Sequence, residues 1–222
     1  MAELNNLNVA IIDYGMGNLF SVKQSCKYIG LNPIITADNN EIKSSDALIL
    51  PGVGAFGDAM ENLRQLDLIN PIKEFISTGK PFMGICLGMQ LLLTESEEFG
   101  THKGLDIIKG KVVKFNNNVK VPHVGWNQIF LPKKAEKNYW DNTPLKNLNN
   151  GEYMYFVHSY YSVLSDEQSI LSVTYYADIE YCSSLLKGNI FAFQFHPEKS
   201  AHEGIKVYEN WASIIRNKRS KL

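Results

Sequence analysis

Cysteine is scarce in this chain: Cys26, Cys86 and Cys182 are the three in 222 residues. They are too few and too scattered for a disulfide framework, and none stands in a CxxC spacing. No set of His, Asp or Glu has metal-ligand spacing either, so neither a metal nor another cofactor is expected. An excess of one charge is also lacking, because 22 Lys plus Arg face 23 Asp plus Glu. The balance removes the basic footprint of a nucleic-acid binder. Long apolar runs are missing too. The strongest, 82–93, holds Gly84, Gly88 and Gln90 and falls short of the roughly 20 residues that cross a bilayer. Residues 1–8 are polar, carry Glu3 and lack the basic flank and apolar core of a signal peptide. Repeats and low-complexity tracts are absent. These absences predict a soluble, cytoplasmic protein with free thiols, bound neither to membrane nor to nucleic acid.

What is present is a globular composition, 45% apolar and 20% charged, over a length that suits one domain, 1–222. The first half alternates strand and helix patterns. Apolar runs at 8–13, 33–36, 46–50 and 82–85 read as buried strands. Amphipathic stretches at 19–29 and 59–76 read as helices, the second broken near Leu66 and Asp67 with Pro71 in a new first turn. Gly30 suits the end of the first, and 87–94 reads as a further helix. In the second half, 107–115, 125–131, 153–164, 170–176, 181–186 and 190–195 read as consecutive strands. The polar stretch 132–151 reads as the weakest-ordered internal segment, 203–215 as a final helix, and 218–222 as a fraying basic tail. The expected fold is α/β: a mostly parallel central sheet with helices on both faces, plus C-terminal antiparallel strands.

Functional loops of such a sheet lie at the carboxyl ends of its strands. Cys86 sits there, between a strand ending at Ile85 and a helix starting at Leu87, flanked by Gly84 and Gly88. Small neighbours permit the tight strained turn of a nucleophile elbow. The helix N-terminus behind it favours a thiolate, and the following N–H points where an oxyanion would form. A lone cysteine is more often a small buried apolar residue; the glycines and the position favour the reactive reading. Cys26 and Cys182 carry no such signature.

His196 and Glu198 follow an apolar strand, with Pro197 fixing the turn between them. A thiol nucleophile needs a base, and the base an orienting acceptor. The turn PGVG at 51–54 also ends a strand, and its glycines allow close backbone approach to a ligand. A phosphate loop is the competing reading, but its lysine is missing. His123 and His158 read as interior or pocket-lining groups, His102 and His202 as solvated ones.

The strings PGVG (51–54), GICLGMQ (84–90) and QFHPEKS (194–200) resemble the three signatures of class I glutamine amidotransferases. DYGMGN (13–18), PHVGWN (122–127) and YFVHSY (155–160) are similar to those of the branch that serves as glutaminase subunits of imidazole glycerol phosphate synthase. The resemblance runs from about Val9 to Ile215. It implies a catalytic triad of Cys86, His196 and Glu198, with an oxyanion hole from the Val53 and Leu87 amides. It also implies that this hole is completed when a partner docks and the Gly52–Val53 peptide flips. It implies that Gly52, Gly54, Gln90, Glu98, His158, Ser159 and Tyr160 hold L-glutamine. It also implies a (β/α)8-barrel synthase partner in a heterodimer, met near Asn18, His123, Trp126 and Lys199, which receives the ammonia for histidine biosynthesis.

The string YCSS at 181–184 departs from the small apolar run of that branch, and 132–151 is unusually charged. Both features leave open a paralogous role, ammonia supply for amidating surface-polysaccharide sugars. A free-standing cysteine hydrolase of γ-glutamyl bonds is a further alternative, though it would not need the docking strings.

Overall fold

The computed structural model describes residues 7–115 and 119–220. Strand β1 (Asn8–Ile12) leads into helix α1 (Leu19–Tyr28), whose first turn is capped by the Asn18 side chain accepting from the Ser21 N–H. Then come β2 (Asn32–Thr36), α2 (Asn39–Ser44), β3 (Ala47–Leu50), α3 (Phe56–Gln65), α4 (Ile69–Ser77) and β4 (Phe82–Ile85). Helix α2 was not anticipated; its signal is Asp38, whose carboxylate accepts from the Asn40 and Glu41 N–H groups. The expected break falls between α3 and α4, where Asp67 takes φ 53°.

Strands β2, β1, β3 and β4 lie side by side and parallel. Strand β3 is buried along its whole length and β1 from Val9 onward, which explains their unbroken apolar sequences. Alternate residues divide between two cores. Val9, Ile11 and Ile49 pack with Trp211 and Val207, whereas Ala10, Ile12 and Leu48 pack with Leu63 and Ile72.

The chain continues through α5 (Leu87–Gln90), β5 (Leu93–Ser96), β6 (His102–Lys103), β7 (Ile108–Lys114), β8 (His123–Ile129), β9 (Glu152–His158), β10 (Tyr160–Leu164), β11 (Ile170–Tyr176), β12 (Ile179–Lys187), β13 (Ile190–Phe193) and α6 (Ala201–Arg219). Strand β13 pairs parallel with β4 and carries the sheet on antiparallel through β12, β10 and β7. Strands β8 and β9 form a separate two-stranded sheet, with His123 opposite His158. The expected α/β architecture is the one found.

Several sequence expectations need correction. The helix expected over 87–94 stops at Gln90, because Leu91, Leu92 and Leu93 are fully buried and the chain turns into the sheet as β5. The run 153–164 is two strands in different sheets, parted at Ser159; the alternation of buried and open residues carries straight across the break, so period alone gave no sign of it. The stretch 132–151 holds neither helix nor strand, yet Trp140, Leu145 and Leu148 bury in the core. Trp140 Nε1 donates to the Leu171 carbonyl at 2.8 Å, which ties the segment down. His102 is half-buried against Gly57 rather than solvated, while His202 is exposed. Helix α6 runs through Lys218 to Arg219, and the last two residues of the expected tail lie outside the described ones. Among the described residues, no helix is long and apolar enough to cross a membrane.

Candidate active site

Three adjacent parallel strands, β3, β4 and β13, end side by side, and each hands the chain to one part of the site. After β4, Cys86 adopts φ 54° and ψ −110°, a conformation that strains a residue with a Cβ. The turn closes because its flanks lack side chains. A Cβ on Gly88 would strike the Leu50 carbonyl oxygen, and one on Gly84 would come within 3.0 Å of Ala192 and of the Gly88 carbonyl. Helix α5 therefore seats directly on the end of β3.

After β13, His196 and Glu198 are brought together: His196 Nδ1 lies 2.8 Å from Glu198 Oε1, with both side chains buried. Ser200 pins this turn. Its hydroxyl donates to the His196 carbonyl at 2.7 Å and accepts from the Tyr155 N–H at 2.9 Å. Burial pulls the His196 pKa down, but the neighbouring Cys86 sulfur and Glu198 outweigh it and raise it to about 10. The imidazole is thus disposed to carry a proton near the sulfur.

After β3, Pro51 to Gly54 form the facing wall. Gly54 takes φ +104°, and a Cβ there would meet Met16. Gly52 is held behind the wall, where a Cβ would strike the Tyr14 hydroxyl. That hydroxyl donates to the Pro51 carbonyl at 2.8 Å and fixes the loop. Burial and the Cys86 charge hold the Tyr14 phenol in its neutral form by raising its pKa.

A cleft of about 400 Å³ opens above Cys86. Val53, Gly54, Leu87, Gln90, Glu98, His158, Ser159 and Tyr160 line it, as do Pro122, Val157 and Lys199. The size suits a small polar molecule. Glu98 anchors the far side, accepting from the Phe56 N–H at 2.6 Å; burial raises its pKa. Gln90 Nε2 donates to the Tyr160 carbonyl at 2.9 Å.

The residues expected at a partner face divide. Trp126 is 52% exposed, its ring edge-on to Tyr155, over which the Lys199 ammonium sits at 5.9 Å. Asn18 is half-buried as the α1 cap. His123 is only 4% exposed, stacked on Tyr176 at 4.0 Å, so in the folded chain it is an interior group and not a surface contact. Its place opposite His158 on a two-stranded sheet turns it inward. Sequence reasoning assigned no role to Gln194, Ser200 or Tyr14, all of which touch the site. The first two lie inside the QFHPEKS string, and only their contacts reveal what they do. Among the described residues no cluster of three His, Cys, Asp or Glu could hold a metal ion.

A strained elbow, a buried imidazole–carboxylate pair and a cleft sized for an amino acid are the parts that acyl-transfer chemistry uses. The glutamine amidotransferase class-I family model matches residues 10–213. The chain belongs to the class I glutamine amidotransferase family. Within it, the chain is similar to proteins named imidazole glycerol phosphate synthase subunit HisH. That of Aquifex aeolicus is 46% identical over 206 residues, 92% of this chain and 96% of the relative. That of Caldanaerobacter subterraneus is 48% identical over 208 residues, 94% and 98% of the two chains. The fold of this amidotransferase is shared with PurLQS from Thermotoga maritima, at a TM-score of 0.70 and 18% identity over 96% of this chain and 99% of that one. It is shared also with the glutaminase domain of Trypanosoma brucei CTPS, at 0.62 and 16% over 95% and 94%.

Proposed function

We propose that this amidotransferase is the glutaminase subunit of an imidazole glycerol phosphate synthase. In this reading the Cys86 thiolate attacks the side-chain carboxamide carbon of L-glutamine. The oxyanion of the tetrahedral intermediate is held by the Val53 and Leu87 N–H groups. Protonated His196 delivers its proton to the departing nitrogen, which leaves as ammonia. Water, deprotonated by His196, then cleaves the thioester to glutamate and restores the thiol. Glu198 orients the imidazole through Nδ1 and stabilises its charge. The Glu98 carboxylate, Gln90 and the Ser159–Tyr160 backbone hold the amino-acid end of the substrate. The observation that carries the chemistry is the strained Cys86 beside the His196–Glu198 pair under a cleft of matching size.

The ammonia passes to a (β/α)8-barrel synthase subunit docked around Trp126, Lys199 and Asn18 as a heterodimer, in the cytoplasm, for histidine biosynthesis. Support for this acceptor is the 46–48% identity to HisH subunits over nearly the whole of both chains. The test is glutamate release from glutamine by the purified chain alone and with a histidine-pathway cyclase barrel and its nucleotide ligand. Strong stimulation is the expected result. A rate that the barrel leaves unchanged would overturn the acceptor and point to sugar amidation; no release under any condition would overturn the glutaminase itself.

A further inference from the structure

A buried hydrogen-bonded trio lies where the two sheets meet, and none of the steps above uses it. His123 on β8, His158 on β9 and Tyr181 on β12 are all nearly inaccessible. His158 Nδ1 lies 2.8 Å from the Tyr160 carbonyl, an acceptor, so Nδ1 carries the proton. Burial lowers the His158 pKa to about 3, which keeps the ring neutral and leaves Nε2 to accept. Two donors reach that atom, the Tyr181 hydroxyl at 3.2 Å and His123 Nδ1 at 3.3 Å. The His123 tautomer is set from the other side: Asn127 Nδ2 also donates to the Tyr175 carbonyl at 2.9 Å, which fixes it as the amide nitrogen, and it lies 3.3 Å from His123 Nε2. His123 therefore bears its proton on Nδ1. It gives that proton either to His158 Nε2 or to the Tyr181 oxygen 3.3 Å away.

This directional chain ends on the Tyr160 carbonyl, the same atom that accepts from Gln90. It spans Ser159, the residue at which the chain leaves the two-stranded sheet for the large one. The backbone it clamps is the wall of the cleft. A free imidazole exchanges its proton between the two nitrogens. Were the proton to move to Nε2, the Tyr160 carbonyl would lose its imidazole donor and keep Gln90 as its one side-chain donor among the described residues. The Tyr181 hydroxyl opposes that shift by occupying Nε2 as a donor.

We propose that Tyr181 is a positioning residue for glutamine binding: its hydroxyl locks His158 in the Nδ1–H tautomer and thereby holds the Ser159–Tyr160 backbone in its substrate-binding form. The assignment rests on reading the cleft as a glutamine site. It also gives a function to the first residue of the YCSS string, the place where this sequence departs from its family branch. The same trio joins His123, on the hairpin that bears the exposed Trp126, to the substrate wall.

The test is Tyr181→Phe, assayed in the complex with the cyclase barrel. The ring stays, with its edge contacts to Phe115 at 5.5 Å and to His158 at 5.3 Å, and only the hydroxyl is lost. The expected result is a rise in KM for glutamine of about three- to tenfold with kcat within about twofold, the scale of one buried hydrogen bond. Imidazole 15N spectra of the free chain should show His158 changing from a single Nδ1–H form to a mixture of tautomers. The double variant Tyr181→Phe with His123→Phe removes both donors to Nε2 and should raise KM by more than the two single effects combined. Unchanged KM and an unchanged His158 spectrum, in a variant whose only difference is a lower melting temperature, would overturn the positioning role and leave the glutaminase reading intact. A wild-type complex that turns over no glutamine would sink both.

Discussion

Gln194 stands between Cys86 and Gln90: its Nε2 donates to the Cys86 sulfur at 3.6 Å while its Oε1 accepts from Gln90 Nε2 at 2.8 Å. The side chain is fully buried. It ties the Cys86 sulfur to the residue that holds the Tyr160 carbonyl, so elbow and cleft wall share one polar scaffold. Gln194→Leu keeps the approximate volume and removes both contacts. Glutamine turnover should fall about tenfold, the scale of a lost hydrogen bond to a charged group. Steady-state glutamate release checks this, and an unchanged rate would show that the scaffold is not used.

Cys86→Ala removes the proposed nucleophile and should lower glutamine hydrolysis by roughly 10⁴-fold or more. Two causes that raise the His196 pKa come from Cys86. The variant should therefore show His196 titrating well below about 10, as followed by NMR of the imidazole carbon-bound protons. An unmoved His196 titration would mean that the thiolate does not act on it.

The His196–Glu198 pair also sets a pH dependence of stability. The folded pKa of about 10 is raised above the ordinary 6.5. Such a group stabilises the fold fully below pH 6.5 and loses its contribution as pH rises through about 10. Glu198→Gln removes the carboxylate charge, one of the two raising causes that Glu198 supplies. The wild type should exceed that variant in stability by the largest margin below about pH 6.5, with the gap closing towards pH 10. Denaturation midpoints across this range measure it, and a gap that widened with pH would contradict the pair's role.

Gly88→Ala places a methyl on the Leu50 carbonyl oxygen. Backbone is what it meets, so relief requires moving α5 off β3. A loss of about 3 kcal/mol or more is expected, together with loss of glutaminase activity, since Cys86 moves with the helix. Thermal unfolding of the variant reads this directly. At Gly30, by contrast, a Cβ would meet nothing within 4 Å. Its φ of +79° alone opposes alanine there, and the milder loss of Gly30→Ala is the internal control.

Much of this molecule is written in local sequence. Runs such as ALIL at 47–50 are apolar on both faces because both faces are covered, and that pattern alone identifies β3 as an interior strand. The glycines around Cys86 are short-range requirements of a tight turn, and Pro197 between His196 and Glu198 fixes a local bend. Those features, with their positions at strand ends, made the elbow and the imidazole–carboxylate pair legible before any coordinates. Two of the misreadings share one cause. Ser159 interrupts no period, because buried and open residues alternate on both sides of it, so nothing local marks the change of sheet. The apolar 91–93 run is equally compatible with a buried helix and a strand, and the pairing of β5, which starts at Leu93, with β7 is a long-range event.

Sequence by itself determined the α/β class and marked the residues proposed for thiol chemistry, because backbone strain, capping and periodicity are properties of neighbours along the chain. Only the tertiary structure decided that β3, β4 and β13 end side by side, since strand order follows from burying two cores at once. It alone turned His123 inward against Tyr176, and brought Tyr181, Gln194 and Ser200 to hold the site. Hydrogen bonds between residues 35 to 108 positions apart depend on where distant strands pack, and no local pattern encodes that.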